Sequence, residues 1–369
     1  MNIFDFYKDP TKHSELGEIF TLGAQRHQYG LASNFLEKDI WVTEILRLLF
    51  DEGLLGNYST AFKGGTALSK CWNAIQRFSE DIDLSIHWAD LAGAEDEAEA
   101  WEKSNRTPSQ QKKFRDKQSK LLTQWSEALV NRLNNRFAAY GIDGLVAELD
   151  ADSKGEKINI RYPRFAKDIN NYQLDYILLE FGGRNRGRPT VAKQVDTYLS
   201  EVPELAALKL PTADVQAYDP AYILWEKLTA LHQFCTQTSE PNPTRLSRHW
   251  YDVDCLLQQN FADPIKSRQA MLDVIEMKSK RWAVAGVNYG QIAEGKLVLV
   301  PAKDRFAATM KDHKDAVSGG MFFVQPNTFE TILNRLLVVE NKINETIINT
   351  RLNARSRSRC RFNDDHFSK

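Results

Sequence analysis

The chain has 369 residues, 42% apolar and 26% charged, with a net charge of −1. That length is enough for two domains and a sizeable core, and the near-zero charge excludes whole-molecule attraction to nucleic acid, so any polyanion site must come from local clusters. Cys71, Cys235, Cys255 and Cys360 lack CxxC spacing and no segment approaches a membrane span, which argues against a disulfide framework, a zinc site or a membrane role and predicts free thiols in a cytoplasmic protein.

Residues 1–35 are mixed, with Gly23 and Gly30 interrupting helical patterns, and read as an N-terminal arm or short helices packed on the next domain. From Leu36 to Phe50, Ile40, Val42, Ile45, Leu46, Leu48, Leu49 and Phe50 make a broad apolar face at helical period. Gly53 and Gly56 end that helix. The next stretch, Phe62 to Ser85, carries the chemistry. It reads Phe-Lys-Gly-Gly-Thr-Ala-Leu-Ser-Lys, and after Cys-Trp-Asn-Ala it continues Ile-Gln-Arg-Phe-Ser-Glu-Asp-Ile-Asp-Leu-Ser. The pattern predicts a strand into Gly64, a helix over Thr66–Gln76 and a strand across Asp81–Ile86. Asp81 and Asp83 are two apart, so on a strand both carboxylates face one site. Adjacent carboxylates repel unless a cation or proton lies between them, and a Mg²⁺-triphosphate is a natural occupant. Gly64 and Gly65 let the backbone come close to a ligand, and a helix starting near Thr66 would offer N–H groups to phosphate.

Residues 95–102 are acidic, and Lys103, Arg106, Lys112, Lys113, Arg115, Lys117 and Lys120 follow in a basic cluster. A helix then runs to about Tyr140, with Trp125, Leu129 and Leu133 in an apolar stripe. The basic cluster suits RNA phosphates, or is a solvated face. Three strands are expected over Leu145–Leu149, Lys157–Tyr162 and Asp175–Phe181. Glu180 falls near the end of the third, just before Gly182 and Gly183, and the arginines 184, 186 and 188 follow in a loop whose forks suit phosphate. Residues 190–205 read as a link, and Pro203, Pro211 and Pro220 place a domain boundary around 200–220. Two helices are predicted beyond it. One covers Ala221–Phe234 and contains Lys227; the other covers Ser247–Leu257 and contains His249 and Asp252. Residues 261–346 continue in helical style, and 347–369, rich in arginine, read as a loose basic tail.

A glycine turn, a short helix and a strand carrying Asp-x-Asp resemble the active-site plan of the nucleotidyltransferase superfamily. The Gly-Gly-Thr-Ala-Leu-Ser-Lys and Arg-Phe-Ser-Glu-Asp-Ile-Asp-Leu segments, with the long gap between glycines and aspartates, are similar to the AbiEii/AbiGii toxin family. Glu37-Lys38-Asp39, Leu-Glu-Phe-Gly-x-Arg at Glu180, Glu-Lys-Leu-x-Ala-Leu at Lys227, Arg-His-x-Tyr-Asp at Asp252 and the Met321–Phe329 segment extend the resemblance over roughly residues 35–346. Where that family often has an Asp-Tyr pair, this chain has Asp312-His313.

The resemblance implies an α+β fold: a polymerase-beta-like mixed sheet with helices over 36–205, a mostly α-helical C-terminal domain over 206–346, and a tail over 347–369. It implies a toxin of a type IV toxin–antitoxin or abortive-infection system that moves NMP from an NTP, GTP or a pyrimidine NTP, to an acceptor such as a tRNA 3′ end. A cognate antitoxin would be encoded alongside and need not bind it. Glu180 is then the third carboxylate beside Asp81 and Asp83, holding Mg²⁺. Gly64, Gly65, Thr66, Ser79 and Lys227 contact phosphates, Asp252 lines the cleft, and Asp81, Asp83, Lys227 and Asp252 form the catalytic set. A metal-dependent phosphohydrolase or nuclease using the same carboxylates, or an NTP-binding module without turnover, remains open.

Overall fold

A computed structural model describes residues 1–92, 107–166, 174–185, 187–281, 284–302 and 306–364. The chain forms two compact units, Met1–Asp219 with Gly319–Gln325, and Pro220–Ser318 with Pro326–Lys369.

The first unit is built on a seven-stranded sheet. Its strands are β1 (Thr60–Lys63), β2 (Ile82–His87), β3 (Val146–Leu149), β4 (Lys157–Arg161), β5 (Ile177–Asn185), β6 (Thr190–Asp196) and β7 (Thr212–Tyr218). They lie in the order β3-β4-β5-β2-β1-β7-β6. The β2–β5 and β1–β7 pairs are parallel and the others antiparallel. The middle three strands of the chain fall where alternation predicts them. The last two do not: residues 190–196 pair as β6 with β7 instead of forming a link. In β7, Ala213, Val215 and Ala217 are buried between exposed Thr212, Asp214 and Gln216. That period of two is a plain strand signal, masked by the prolines on either side.

Helices α1 (Ile3–Lys8), α2 (His13–Arg26) and α3 (Ser33–Phe50) precede the sheet. The first starts on a reciprocal cap between Asn2 and Asp5. Ile3, Phe4, Phe6, Leu16 and Phe20 enter the main hydrophobic core, so the N-terminal residues are part of this unit's interior. The third is buried nearly all round, charged Glu37, Lys38, Asp39 and Glu44 included. A helix buried on every face is a central element, not a surface one.

The glycine helix α4 (Gly64–Lys70) is shorter than its sequence pattern suggests. The chain turns at Asn73, which has φ +48, a left-handed conformation that Asn tolerates and a helix does not. Helix α5 (Trp88–Ala92) follows β2, and α6 (Pro108–Tyr140) runs from a Thr107–Gln110 capping box to a left-handed Gly141. Leu122, Trp125, Leu129 and Leu133 of α6 are buried, while Lys112, Lys113, Lys117 and Lys120 are exposed. Lys103, Arg106 and the acidic run 95–102 lie outside the described residues.

The second unit is largely helical: α7 (Pro220–Thr236), α8 (Arg248–Gln258), α9 (Arg268–Arg281), α10 (Phe306–Ser318) and α11 (Phe329–Asp364). The last helix takes in most of the segment expected to be a loose tail. Among the described residues no helix is long and apolar enough to cross a membrane, and Cys71, Cys235 and Cys255 form no disulfide.

Candidate active site

Strand β1 ends at Lys63, and Gly64 opens α4 at φ +76. The glycine is required twice over. A side chain there would be strained, and a Cβ on Gly64 would land in the Asp83 carboxylate. Asp83 is thus seated directly on the backbone of the turn. Gly65 has the same need for a different reason: a Cβ would lie 2.6 Å from Ser79 Oγ and 2.7 Å from Arg77 Nη2. Glycines, Ser79 and Asp83 therefore converge, although 14 to 19 positions separate them in sequence.

Asp81 precedes the first residue of β2 and Asp83 lies within it, both half-buried, with Ile82 buried between them. This is the alternation that puts the two acids on one face. Thr66 ties the acid strand to the glycine helix. Its Oγ1 donates to the Asp81 carbonyl at 2.5 Å and lies 3.0 Å from Ser79 Oγ. Glu180 of β5 stands opposite Asp83 in parallel register. Burial raises the Glu180 pKa, the ammonium of Lys157 lowers it, and Asp81 pushes it up again. The third acid thus feels the first electrostatically as well as facing the second.

The same register identifies two residues that motif reading missed. Lys157 of β4 is opposite Glu180, and Lys63 of β1 is opposite Asp83. Partners in register share a face, so one row across the sheet reads Lys157, Glu180, Asp83, Lys63. No spacing in the sequence signals Lys157, because its partner is in another strand. Lys63 was in plain view, directly before the glycines.

Helix α3 braces this motif from both ends. Lys38 Nζ donates to Glu80 Oε2 at 2.7 Å and to the Leu174 carbonyl at 2.9 Å. Glu80 is the residue before Asp81. Asp39 is paired with Lys70, the last residue of α4, and accepts from the Tyr198 backbone N–H at 2.7 Å. Tyr198 Oη lies 2.6 Å from Ser69 Oγ, also on α4. The neighbouring Glu37 accepts from the Phe165 and Ala166 backbone N–H groups and from Tyr7 Oη. Burial outweighs those three donors and pushes its carboxyl up to about 7. On the other side, Gly319–Gln325 pairs with the segment just before Ser79. Phe78 N–H donates to the Met321 carbonyl at 2.8 Å and Phe323 N–H to the Gln76 carbonyl at 2.9 Å, with Arg77 and Phe322 bridged between them.

Among the described residues no group of three or more His, Cys, Asp or Glu forms a ready metal cage. The donor set nevertheless suits Mg²⁺, which takes carboxylate oxygens and usually relies on one or two carboxylates plus substrate phosphates. Asp83 on a bare glycine backbone, with Glu180 opposite and Asp81 on the same face, is an open site of that type.

In the second unit the other two expected residues are brought to each other. Lys227 Nζ on α7 donates to Asp252 Oδ2 on α8 at 2.6 Å, and Asp252 is fully buried. Asp312, which keeps the Asp of the family's usual Asp-Tyr pair while His313 replaces the Tyr, accepts from Arg245 N–H, Ser247 N–H and Ser247 Oγ at 2.6–2.8 Å. It holds the turn that launches the Asp252 helix. Arg335 grips Asp254 one turn further on. The His249 ring packs on Phe234 with centroids 5.3 Å apart, so it serves as a packing residue here. Of the three arginines expected in a loop, residue 184 falls within β5 instead; its side chain and residue 186 lie outside the described residues.

The family described as "Nucleotidyl transferase AbiEii toxin, Type IV TA system" matches residues 47–335, most of the chain. Among solved structures the chain is similar to MenT4, a nucleotidyltransferase toxin from Mycobacterium tuberculosis H37Rv. Identity is 16% and the TM-score 0.43, over 88% of this chain and 97% of that one. No match is found among curated proteins. With a mixed α/β domain followed by a largely helical region, and with the family's pattern running through both, the chain belongs to the AbiEii nucleotidyltransferase toxins of type IV toxin–antitoxin and abortive-infection systems.

Proposed function

We propose that this toxin transfers NMP from a Mg²⁺-bound NTP to an RNA hydroxyl, such as a tRNA 3′ end, and thereby blocks translation. The single observation that carries the site assignment is Asp83, seated on Gly64 and in register with Glu180. Asp81, Asp83 and Glu180 would hold Mg²⁺, which when bound offsets phosphate charge and stabilises the entering and leaving oxygens. The bare backbone of Gly64 and Gly65 lets phosphates approach, and Thr66 keeps Asp81 in place through its carbonyl. Ser79 Oγ donates to a phosphate oxygen beside Gly65. A site aspartate takes the proton of the acceptor hydroxyl. The oxygen–Pα bond forms, the Pα–O–Pβ bond breaks, and pyrophosphate leaves. In the second unit Lys227, paired with Asp252, is the cation to which the family resemblance would give a role in offsetting phosphate charge. The exposed lysines of α6 are a local surface of the sign RNA requires. A cognate antitoxin, encoded alongside, completes the system without having to touch the toxin.

Incubation with each α-labelled NTP and total RNA, followed by identification of the labelled species, tests this reading. Label should enter RNA with release of pyrophosphate. Phosphate release or RNA cleavage without label would favour the hydrolase or nuclease reading, and binding without turnover a regulatory module. Asp83→Asn should lower transfer by about 10²–10³-fold, the usual cost of removing one charge-stabilising group, with thermal stability retained. Full transfer by that variant would remove the carboxylate site.

A further inference from the structure

We propose that Lys63 is a direct ligand of the nucleotide's triphosphate, so that the sheet unit carries a phosphate-binding cation of its own. This rests on the reading of the site as one for Mg²⁺ and an NTP. In the row Lys157–Glu180–Asp83–Lys63 the acids stand in the middle and a lysine stands at each end. Without a metal the row is neutral: each ammonium offsets one carboxylate. Both lysines do act on Glu180 in this way, opposing the effect of its burial. Once the acids turn to a divalent ion, the two ammonium groups become surplus positive charge on the same face, beside a polyanion.

Position separates the two lysines. Lys63 is the last residue of β1 and directly precedes Gly64, whose backbone lies under Asp83. Lys157 is on β4, beyond Glu180 and away from the glycine turn. Lys63 is half-buried, and its backbone is extended at φ −140, ψ −160. A lysine binds phosphate as a compact charge on a flexible stem, and the stem can swing from a carboxylate to a phosphate oxygen without moving the turn. Lys63 therefore belongs to the triphosphate side of the site and Lys157 to the opposite side.

The test uses the full chain and the α,β-imido analogues of GTP and UTP, whose Pα–Pβ link does not break in transfer, with Mg²⁺. For Lys63→Gln the Kd of whichever analogue binds, and the KM for transfer, should rise about tenfold or more, as for loss of one charge-assisted hydrogen bond. Affinity for the corresponding monophosphate should not change. Lys63→Arg should recover most of the loss, and Lys157→Gln should shift Kd by less than about threefold. On the unaltered protein, saturating analogue should protect Lys63 from acetic anhydride, a readout that does not depend on any variant folding. An unchanged Kd in Lys63→Gln would overturn the assignment. So would a fall in kcat with KM unchanged, which would make Lys63 only the counter-ion of Asp83, or equal labelling with and without nucleotide. Transfer that survives in Asp83→Asn is a different failure, that of the carboxylate site itself.

Discussion

Lys38 with Glu80, and Asp39 with Lys70, are buried charges matched one to one between helix α3 and the active-site segment. On the open face of the sheet the rule changes: Asp83 and Glu180 stand side by side, half-buried, with their lysines outside them. The first set is satisfied by the protein alone and fixes where the chain runs. The second is arranged so that two like charges are adjacent, and it is fully satisfied only when something else joins it. The site charges are less buried than the frame charges, and they also differ in order, like beside like instead of matched one to one.

The sharpest way to break the contrast is to orphan a frame charge. Lys38→Met leaves Glu80 buried at 4% exposure with its ammonium gone. We expect about 3–5 kcal/mol loss of stability in denaturant unfolding, the cost of an uncompensated buried charge. Lys38→Met combined with Glu80→Leu should recover much of it. Equal losses in the single and double variants would mean that packing, not charge, is what the pair contributes.

Glu37 refines the comparison, because it is a frame acid held chiefly by hydrogen-bond donors, with the Arg164 charge a weaker influence. Its folded pKa, raised to about 7 from 4.5, means that the native state binds a proton more tightly than the unfolded chain. Its contribution is therefore fully present below pH 4.5 and is lost as pH rises to about 7. The stability difference between Glu37→Gln and wild type should shift in favour of the variant across that window, by about 1–3 kcal/mol. A difference flat with pH would show that the three donors keep Glu37 ionised throughout.

The smallest effect lies at the junction of frame and site. Thr66→Val removes the hydroxyl that bonds the Asp81 carbonyl. It should cost about 0.5–1.5 kcal/mol of stability and lower kcat more than it raises KM, since Asp81 loses its anchor while Lys63 and Gly64 remain. A change in KM alone would move Thr66 from positioning the acid to binding nucleotide.

Much of the site was legible because its residues are neighbours in sequence. Glycine pair, Asp81 and Asp83 follow from backbone freedom and strand period, and Glu180 from a strand that ends in glycines. The charge row was not legible, because Lys157 and Glu180 meet only through strand pairing. Lys38 was legible only as part of the Glu37-Lys38-Asp39 motif on an apolar helix, and its partner is 42 positions away. The extent of α4 was overestimated because helical period continues past Lys70 while Asn73 turns the chain left-handed. Strands β6 and β7 were passed over because prolines were given more weight than alternation.

The seven residues Gly319–Gln325 belong to the first unit, although the chain on both sides of them belongs to the second. A truncation at Asp219 would therefore not yield a whole catalytic domain. The fragment would keep the glycines and all three acids, yet the stretch Gln76–Phe78 would lose the backbone partners that Met321 and Phe323 give it. An inactive 1–219 fragment would say nothing about the carboxylates, and a synthetic 319–325 peptide added in trans is the reagent that could restore it.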